Sequence, residues 1–239
     1  MVGPFGGVIA AKLLNAVLLH PARLGEPIAF TVNYAGPIAD GEFELEAKPA
    51  RTNRSTQHWV VELKQGDETA ATATAVCAAR RETWSALEAR FPEVPPPDAL
   101  RRHPTLGRAV WTERYDMRFV RGALELSSPP APDQDSVSTL WVRDEPPRPL
   151  DFVSLVAISD SFFPRIFVRR PVWAPIGTVS YTTYFHADSA MLAAHGDAHV
   201  LATARANQFR NGYFDQAAEV WARDGTLLAT SHQIVYYKE

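Results

Sequence analysis

One order of elements, an apolar helix followed by four strands, occurs twice along the chain and restricts it to a fold built from two similar halves. The first helix is predicted from VIAAKLLNAVLLH (8–20), whose apolar residues recur at helical spacing. The second is predicted from PLDFVSLVAISDSFFP (149–164), which has the same spacing and a proline near each end. Strand-like stretches separated by turn residues follow each helix: EPIAFTVNYAGPI, GEFELEAKPA, TQHWVVELKQ and TAATATAVCAAR after the first, and IGTVSYTTYFHA, AHVLATARANQF, YFDQAAEVWARDG and TLLATSHQIVYYK after the second.

The last strands of the two halves also resemble each other in sequence. AATATAV (70–76) aligns with LATSHQI (228–234), which indicates an internal duplication. Between the halves, FPEVPPPDALRRHP is too rich in proline for regular structure and is interpreted as part of a connector. We therefore predict an α+β chain with an N-terminal half (1–83), a connector (84–107) and a C-terminal half (108–239). Each antiparallel sheet is expected to wrap its own helix, and the two sheets are expected to join.

Composition excludes several classes of protein. The 239 residues carry 24 basic and 27 acidic side chains, and no long basic run indicates binding to nucleic acid. The single cysteine, Cys77, excludes an intrachain disulfide and a thiolate metal cluster. The apolar run from Val8 to Leu19 is too short to span a bilayer and contains Lys12, and no secretory signal is evident. We expect a soluble, cytoplasmic protein with no membrane partner.

Two adjacent glycines, Gly6 and Gly7, stand at the start of the first predicted helix, although glycine is a poor helix former. One interpretation is that a backbone N–H there must approach a ligand without a side chain in the way. The other is that glycine only permits close packing of the helix against its neighbours. The sequence leaves both interpretations open.

Five stretches, in this order, resemble the type II acyl-CoA thioesterase family: FGG (5–7), RTNRS (51–55), ISDSFFP (158–164), GTVSYTTYFHA (177–187) and DGTLLATSHQ (224–233). The resemblance covers nearly the whole chain apart from the connector. It implies a double-hotdog fold, in which two fused hotdog halves each wrap a central helix. It also implies hydrolysis of fatty acyl-CoA to free acid and CoA, without a metal or another cofactor.

The same resemblance implies three catalytic residues. They are Asp160 in ISD, Thr178 in GTVS, seven residues before Phe185, and Gln233 in TSHQ. Asp160 follows the apolar run FVSLVAIS and precedes two phenylalanines, so burial is expected to raise its pKa and make it a better base for an attacking water. Without the resemblance, an aspartate near a helix end is most simply a solvated or capping residue.

Thr178 and Gln233 are expected to position the water, because neither side chain titrates near neutral pH. Ser180, two residues further along the predicted strand, is an alternative to Thr178. Backbone N–H groups of Gly6 or Gly7 are expected to stabilise the oxyanion at the helix N-terminus. For the phosphates of CoA we select Arg169 and Arg170 from RIFVRR.

The two predicted helices carry complementary halves of such a site. The first begins with glycines but has no acidic residue from Pro4 to Leu19, and the second has Asp160 but no glycine near its start. In the alignment of the last strands, Gln233 matches Ala75. We therefore expect one complete site and one degenerate site.

Other functions remain as alternatives. A non-catalytic acyl-binding or assembly module would keep the fold without turnover, and a hotdog enoyl-CoA hydratase could use His186 with Asp188. Serine hydrolases, nucleotide enzymes and zincins are disfavoured because their motifs are absent from the sequence. We expect no metal at HGDAH (195–199), which offers His195, Asp197 and His199, and a homo-oligomer is left open.

Overall fold

Helix α1 (Gly6–Leu18) forms where the sequence predicts the first helix, and its apolar face is buried. In this computed structural model, residues 3–105, 109–124, 134–170 and 173–238 are described. The other helices are α2 (Phe152–Ile158), α3 (Arg165–Arg169) and α4 (Ser189–His195). The strands are β1 (Glu26–Tyr34), β2 (Glu44–Thr52), β3 (Thr56–Gln65), β4 (Glu68–Ala78), β5 (Tyr115–Arg121), β6 (Ser138–Asp144), β7 (Ile176–Phe185), β8 (Val200–Arg205), β9 (Phe209–Arg210), β10 (Tyr213–Trp221) and β11 (Leu227–Tyr237).

The strands form one antiparallel sheet in the order β2-β3-β4-β1-β7-β11-β10-β8-β6-β5, with β9 paired to β10. Strand β1 joins the two halves by pairing with β7, where Thr31 lies opposite Thr182 and their hydroxyls are 2.9 Å apart. Outward from this junction, the first half has the order β1-β4-β3-β2 and the second has β7-β11-β10-β8. The predicted repeat of four strands therefore appears as two equivalent sequences of strand pairing, which β6 and β5 extend at one edge.

The inner face of the sheet packs on α1 and α2. Helix α1 contacts β2, β3 and β4, helix α2 contacts β6, and the two helices contact each other. Alternation along β3 shows how the sequence places the core, since Trp59, Val61 and Leu63 are buried while His58 and Val60 are exposed. Cys77 lies in the same core, and burial raises the pKa of its thiol to about 11, so it behaves as a small apolar residue.

The predicted second helix is wrong at its C-terminal end, because α2 stops at Ile158. The hydroxyls of Ser159 and Ser161 donate hydrogen bonds to the carbonyls of Leu155 and Ile158, each at 2.8 Å. The backbone N–H of Asp160 donates to Ala157 O, three residues back, and this tightens the chain into a turn. Serine competing for backbone groups explains the early end of the helix, and α3 starts after Pro164.

The described part of the proline-rich connector packs on the outer face of the C-terminal half. The Phe91 ring meets Trp221 edge-on at 5.8 Å, and Trp141 Nε1 donates to Pro95 O at 2.9 Å. Trp141, Leu201 and Trp221 form a separate buried cluster beneath it, which we call the outer cluster. The connector is irregular as predicted, apart from a 3₁₀ turn at Pro97–Ala99, but it has a fixed place on the sheet. Its predicted last residues, 106–107, lie outside the described residues.

Within the described residues, no helix has the length and apolar character needed to cross a membrane.

Replacing Phe91 with alanine should lower the free energy of unfolding by ~1–2 kcal/mol, less than the ~3–5 kcal/mol typical of a fully buried Phe. The reason is that Phe91 is only partly buried against Trp221. Limited proteolysis should then cut the connector faster. Leu87→Ala is the matched control, because Leu87 is 56% exposed in the same connector. Equal protease sensitivity of the two variants would contradict the packing described for the connector.

Candidate active site

Asp160 occupies the turn after α2 and is the only charged side chain of that turn, with 8% of its surface exposed. Its Oδ1 accepts a hydrogen bond of 2.6 Å from Nε2 of Gln233 on β11. The turn is tied to the same strand by Ser231, whose hydroxyl donates to Ser159 O at 3.3 Å. The structure thus brings two of the predicted catalytic residues, Asp160 and Gln233, into direct contact.

The surroundings of Asp160 disfavour its charged form. Burial raises the pKa of its carboxyl group from 3.8 to about 7, against smaller lowering effects from Gln233 and from the backbone N–H of Gly7. No lysine, arginine or histidine of the described residues forms an ion pair with it. Near neutral pH, Asp160 can therefore accept or release a proton, as a general base must.

Three buried tyrosines on three strands lie close enough to Asp160 to interact with its charge. They are Tyr34 on β1, Tyr115 on β5 and Tyr181 on β7, and in each case burial, followed by nearby negative charge that includes Asp160, raises the phenol pKa. All three are therefore neutral when Asp160 titrates. Sequence reasoning missed them, because a tyrosine on a strand is an ordinary core residue and carries no signal that links it to a distant aspartate.

The two glycines have different neighbours in the structure. A Cβ on Gly7 would lie 2.9 Å from Ala157 O of α2 and 2.6 Å from the Phe5 ring, so this glycine permits the helices to touch. A Cβ on Gly6 would lie 3.0 Å from Asp160 Oδ2, so this glycine gives the carboxylate access to the first turn of α1. The residue before them, Phe5, caps α1 without any side-chain hydrogen bond.

The first two N–H groups of α1 have different surroundings. The N–H of Gly7 faces the Asp160 carboxylate and lowers its pKa. The N–H of Gly6 has no hydrogen-bond acceptor among the described residues. Of the two predicted oxyanion donors, the N–H of Gly6 is therefore the one that remains available, because the N–H of Gly7 interacts with Asp160.

Thr178 lies near this pair of residues without touching it. It stands opposite Val235 on β11, two residues beyond Gln233. In the described part of the chain, no hydrogen bond joins the Thr178 hydroxyl to Asp160 or Gln233. Its catalytic role stays a prediction.

The prediction that Ser180 shares a strand face with Thr178 is wrong. Pairing between β7 and β11 shifts register between Ile234 and Val235, so that Thr178 lies opposite the buried Val235. Ser180 lies opposite Ile234, which is exposed. A β-bulge interrupts the alternation of faces on which the prediction relied.

The start of α2 differs from the start of α1. Its N-cap residue, Asp151, accepts a hydrogen bond of 2.7 Å from the N–H of Ser154, and Arg148 forms an ion pair with Asp151. The N-terminus of α2 is therefore occupied by a carboxylate of its own chain segment. Of the two contacting helices α1 and α2, only α1 has a carboxylate from the other half beside its first turn, in accordance with the asymmetry of the sequence.

The structure separates the arginines of RIFVRR. Arg165 is fully buried, and it donates hydrogen bonds to Ser138 Oγ at 2.8 Å and to Ser136 O at 2.9 Å. Burial lowers its pKa to about 9, and its contacts are structural. Arg169 is half-buried at the end of α3, and Arg170, which follows it, is exposed. Their predicted contact with CoA stays a prediction.

The histidines singled out in the sequence have other partners. His195 Nε2 lies 3.0 Å from Ala198 O, and His199 Nε2 lies 3.1 Å from Asp116 Oδ2. His186 is exposed and hydrogen-bonds to the Thr230 hydroxyl at 3.1 Å. Asp188 caps α4 by accepting a hydrogen bond from the N–H of Met191 at 2.8 Å. The His186 and Asp188 side chains are therefore each committed to a separate local contact.

Family models match both halves of the chain. An acyl-CoA thioesterase N-terminal domain matches residues 1–78, and an acyl-CoA thioesterase C-terminal domain matches residues 88–237. No curated protein sequence matches the chain.

Solved structures show the same fold. A conserved protein of unknown function with hot dog fold from Alicyclobacillus acidocaldarius is 47% identical, with a TM-score of 0.95 over 100% of this chain and 89% of that chain. An acyl-CoA thioesterase II from Mycobacterium marinum is 19% identical, with a TM-score of 0.78 over 98% of this chain and 89% of that chain. The tesB protein of Mycobacterium avium subs paratuberculosis is 16% identical, with a TM-score of 0.79 over 99% of this chain and 88% of that chain.

Alanine at the two glycines should have different effects on stability. Gly7→Ala should lower the free energy of unfolding by ~1–3 kcal/mol, because its Cβ meets a backbone carbonyl that cannot move independently. Gly6→Ala should lose less than Gly7→Ala, under ~1 kcal/mol, since its Cβ displaces the side chains of Asp160 and Tyr34 rather than backbone, and alanine favours the helix. Urea unfolding of both variants tests this difference, and equal losses would contradict the helix contact assigned to Gly7.

Asp160 should destabilise the fold above neutral pH. Its folded-state pKa is raised, so the folded protein binds the proton more tightly than the unfolded chain, and stability falls as pH rises from about 4 to about 7. Asp160→Asn should therefore be more stable than wild type at pH 8 by ~1–4 kcal/mol, with the difference shrinking towards pH 4. Thermal or urea unfolding across this range measures it. An Asp160→Asn protein less stable than wild type at pH 8 would show that the carboxylate is not strained by burial.

Proposed function

Because the chain belongs to the acyl-CoA thioesterase family, we propose that it hydrolyses fatty acyl-CoA to free acid and CoA by Asp160-assisted attack of water. One observation carries the proposal: a carboxylate buried without a cation, hydrogen-bonded to Gln233 and facing the first turn of α1. Such a group is costly to the fold, and buried charges that serve only structure are normally ion-paired. A base that must act near neutral pH explains the cost.

The proposal includes a double-hotdog arrangement, with one hotdog unit in 1–83 and another in 108–239. The repeated strand order on each side of the β1–β7 junction supports it, as does the contact of α1 and α2 at the centre. In this arrangement the site is composite. The first half supplies Gly6 and Gly7, and the second supplies Asp160, Thr178 and Gln233.

In the proposed reaction, Asp160 takes a proton from water as the water oxygen bonds to the thioester carbonyl carbon. Gln233 holds the carboxylate in place through Nε2, and the Thr178 hydroxyl orients the water. The carbonyl oxygen becomes an oxyanion, which the N–H of Gly6 stabilises at the positive end of α1. When the tetrahedral intermediate collapses, the C–S bond breaks and the CoA thiolate takes the proton back from Asp160.

The acyl chain is proposed to lie in an apolar passage between the halves. Arg169 and Arg170 are proposed to meet the phosphates of CoA, because Arg170 is exposed and both follow the Asp160 turn closely in the chain. We place the activity in the cytoplasm, within lipid metabolism, and assign it no metal or other cofactor.

The proposal is tested by thiol release from short, medium and long acyl-CoAs, compared between wild type, Asp160→Asn and Asp188→Asn. Wild type should release CoA, with kcat/KM falling as pH drops below about 7 because Asp160 becomes protonated. Asp160→Asn should lose at least ~10²-fold in kcat, the usual contribution of a general base. Asp188→Asn should retain activity, because asparagine also caps a helix.

The outcomes separate the alternatives. Binding of acyl-CoA without thiol release by wild type would favour the non-catalytic acyl-binding module. Hydration of an enoyl-CoA that is lost in Asp188→Asn would favour the hydratase. Undiminished thiol release by Asp160→Asn would place the reaction at another site.

A further inference from the structure

The peptide group between Gly6 and Gly7 is held from both sides. Its carbonyl oxygen, Gly6 O, accepts a hydrogen bond of 2.8 Å from the hydroxyl of Tyr34 on β1. On its other side lies Asp160, whose Oδ2 is 3.0 Å from the position of a Cβ on Gly6, and the N–H of Gly7 lowers the pKa of this carboxyl group. One planar unit therefore connects a buried phenol to the proposed catalytic base.

Side chains contribute little to holding the first turn of α1. Helix α1 starts without a side-chain cap, and its first two residues are glycines, which have the greatest backbone freedom of all residues. The Tyr34 hydroxyl is the only side-chain donor to this first turn among the described residues. It adds a restraint on this peptide group to the hydrogen bonds of the helix itself.

The hydroxyl of Tyr34 has one proton, and that proton is committed to Gly6 O. No hydrogen bond joins Tyr34 to Asp160 in the parts of the chain that the structure describes. A donor on Gly6 O polarises the peptide group between Gly6 and Gly7, and linked hydrogen bonds strengthen one another.

We propose that Tyr34 is a positioning residue for Asp160. Through the Gly6–Gly7 peptide group, it holds the first turn of α1, which binds the oxyanion, in a fixed position relative to the Asp160 carboxylate. The inference rests on the proposed function for its catalytic consequence. Its structural content, the link from Tyr34 to the carboxylate, stands without it.

The other groups that face Asp160 do not share this arrangement. Tyr181 donates its hydrogen bond to Val156 O of α2, at 2.6 Å. Tyr115 faces the carboxylate from β5, and it makes no hydrogen bond to the glycine turn in the described residues. Gln233 is the direct donor from β11. Tyr34 is thus the tyrosine whose loss should act specifically through the first turn of α1.

The test compares Tyr34→Phe with Tyr115→Phe, which removes a phenol oxygen near the same carboxylate. The pKa of Asp160 is measured by ¹³C NMR titration of the aspartate carboxyl carbons, assigned with Asp160→Asn. Loss of the anchor should raise this pKa in Tyr34→Phe by about half a unit or more, because the N–H of Gly7 no longer stabilises the charge. Removing the negative end of the phenol dipole alone would lower the pKa or leave it unchanged, so the sign separates the two effects.

In the hydrolysis assay, the acid limb of kcat/KM should move to higher pH in Tyr34→Phe. Its kcat should fall roughly tenfold with little change in KM, less than the ~10²–10³-fold loss on removing a direct oxyanion donor. Tyr115→Phe should keep both the wild-type pH profile and kcat. A merely structural role for Tyr34 would lower the melting temperature and leave the pH profile in place.

An Asp160 pKa in folded Tyr34→Phe that equals or falls below the wild-type value would overturn the inference. If Tyr34→Phe fails to fold, the link is tested by NMR in the wild-type protein. The amide proton of Gly7 and the carbonyl carbon of Gly6 should shift together with the titration of Asp160, and their insensitivity to it would refute the link. These NMR measurements need no turnover. Absence of thioesterase activity would therefore refute the proposed function but would leave the test of the Tyr34 link valid.

Discussion

The structure depends on how the Asp160 carboxylate is accommodated without a countercharge. The side chain reaches the centre of the molecule from the turn after α2, where Gln233 donates to it and the N–H of Gly7 faces it. These donors come from β11 and from α1, at opposite ends of the chain. A group that would be costly to bury alone is thus stabilised only when both halves are assembled around it.

The contact between the two central helices makes this accommodation possible. Gly7 lets α1 approach Ala157 O of α2, and Gly6 leaves space for the carboxylate one residue earlier. The other end of the helix pair is built differently, because Asp151 caps α2 with its own side chain. Two similar halves therefore give two dissimilar helix starts: the N–H of Gly6 in α1 has no acceptor among the described residues, whereas α2 is capped by Asp151.

The outer face of the sheet is a second place where the two halves differ. The connector covers the β6, β8 and β10 region through Phe91 and the outer cluster. On β3, in the N-terminal half, Val60 remains exposed. A segment whose proline content excludes helix and sheet still packs firmly, because proline restricts the chain and leaves side chains such as Phe91 free to bury.

Sequence by itself determined the elements that depend on local periodicity: the apolar helix after the glycine pair, the repeated strands and, through the family resemblance, Asp160 and Gln233 as partners. It could not determine where α2 ends, since the hydroxyls of Ser159 and Ser161 decide that by competing for carbonyls. The prediction from the sequence for the face of Ser180 was also wrong. A β-bulge between β7 and β11 changes that face, and a bulge depends on the pairing of two strands. Tyr34, Tyr115 and Tyr181 come near Asp160 only in the folded chain. Side-chain proximity across strands distant in sequence arises from sheet register and helix packing, and no local pattern encodes it.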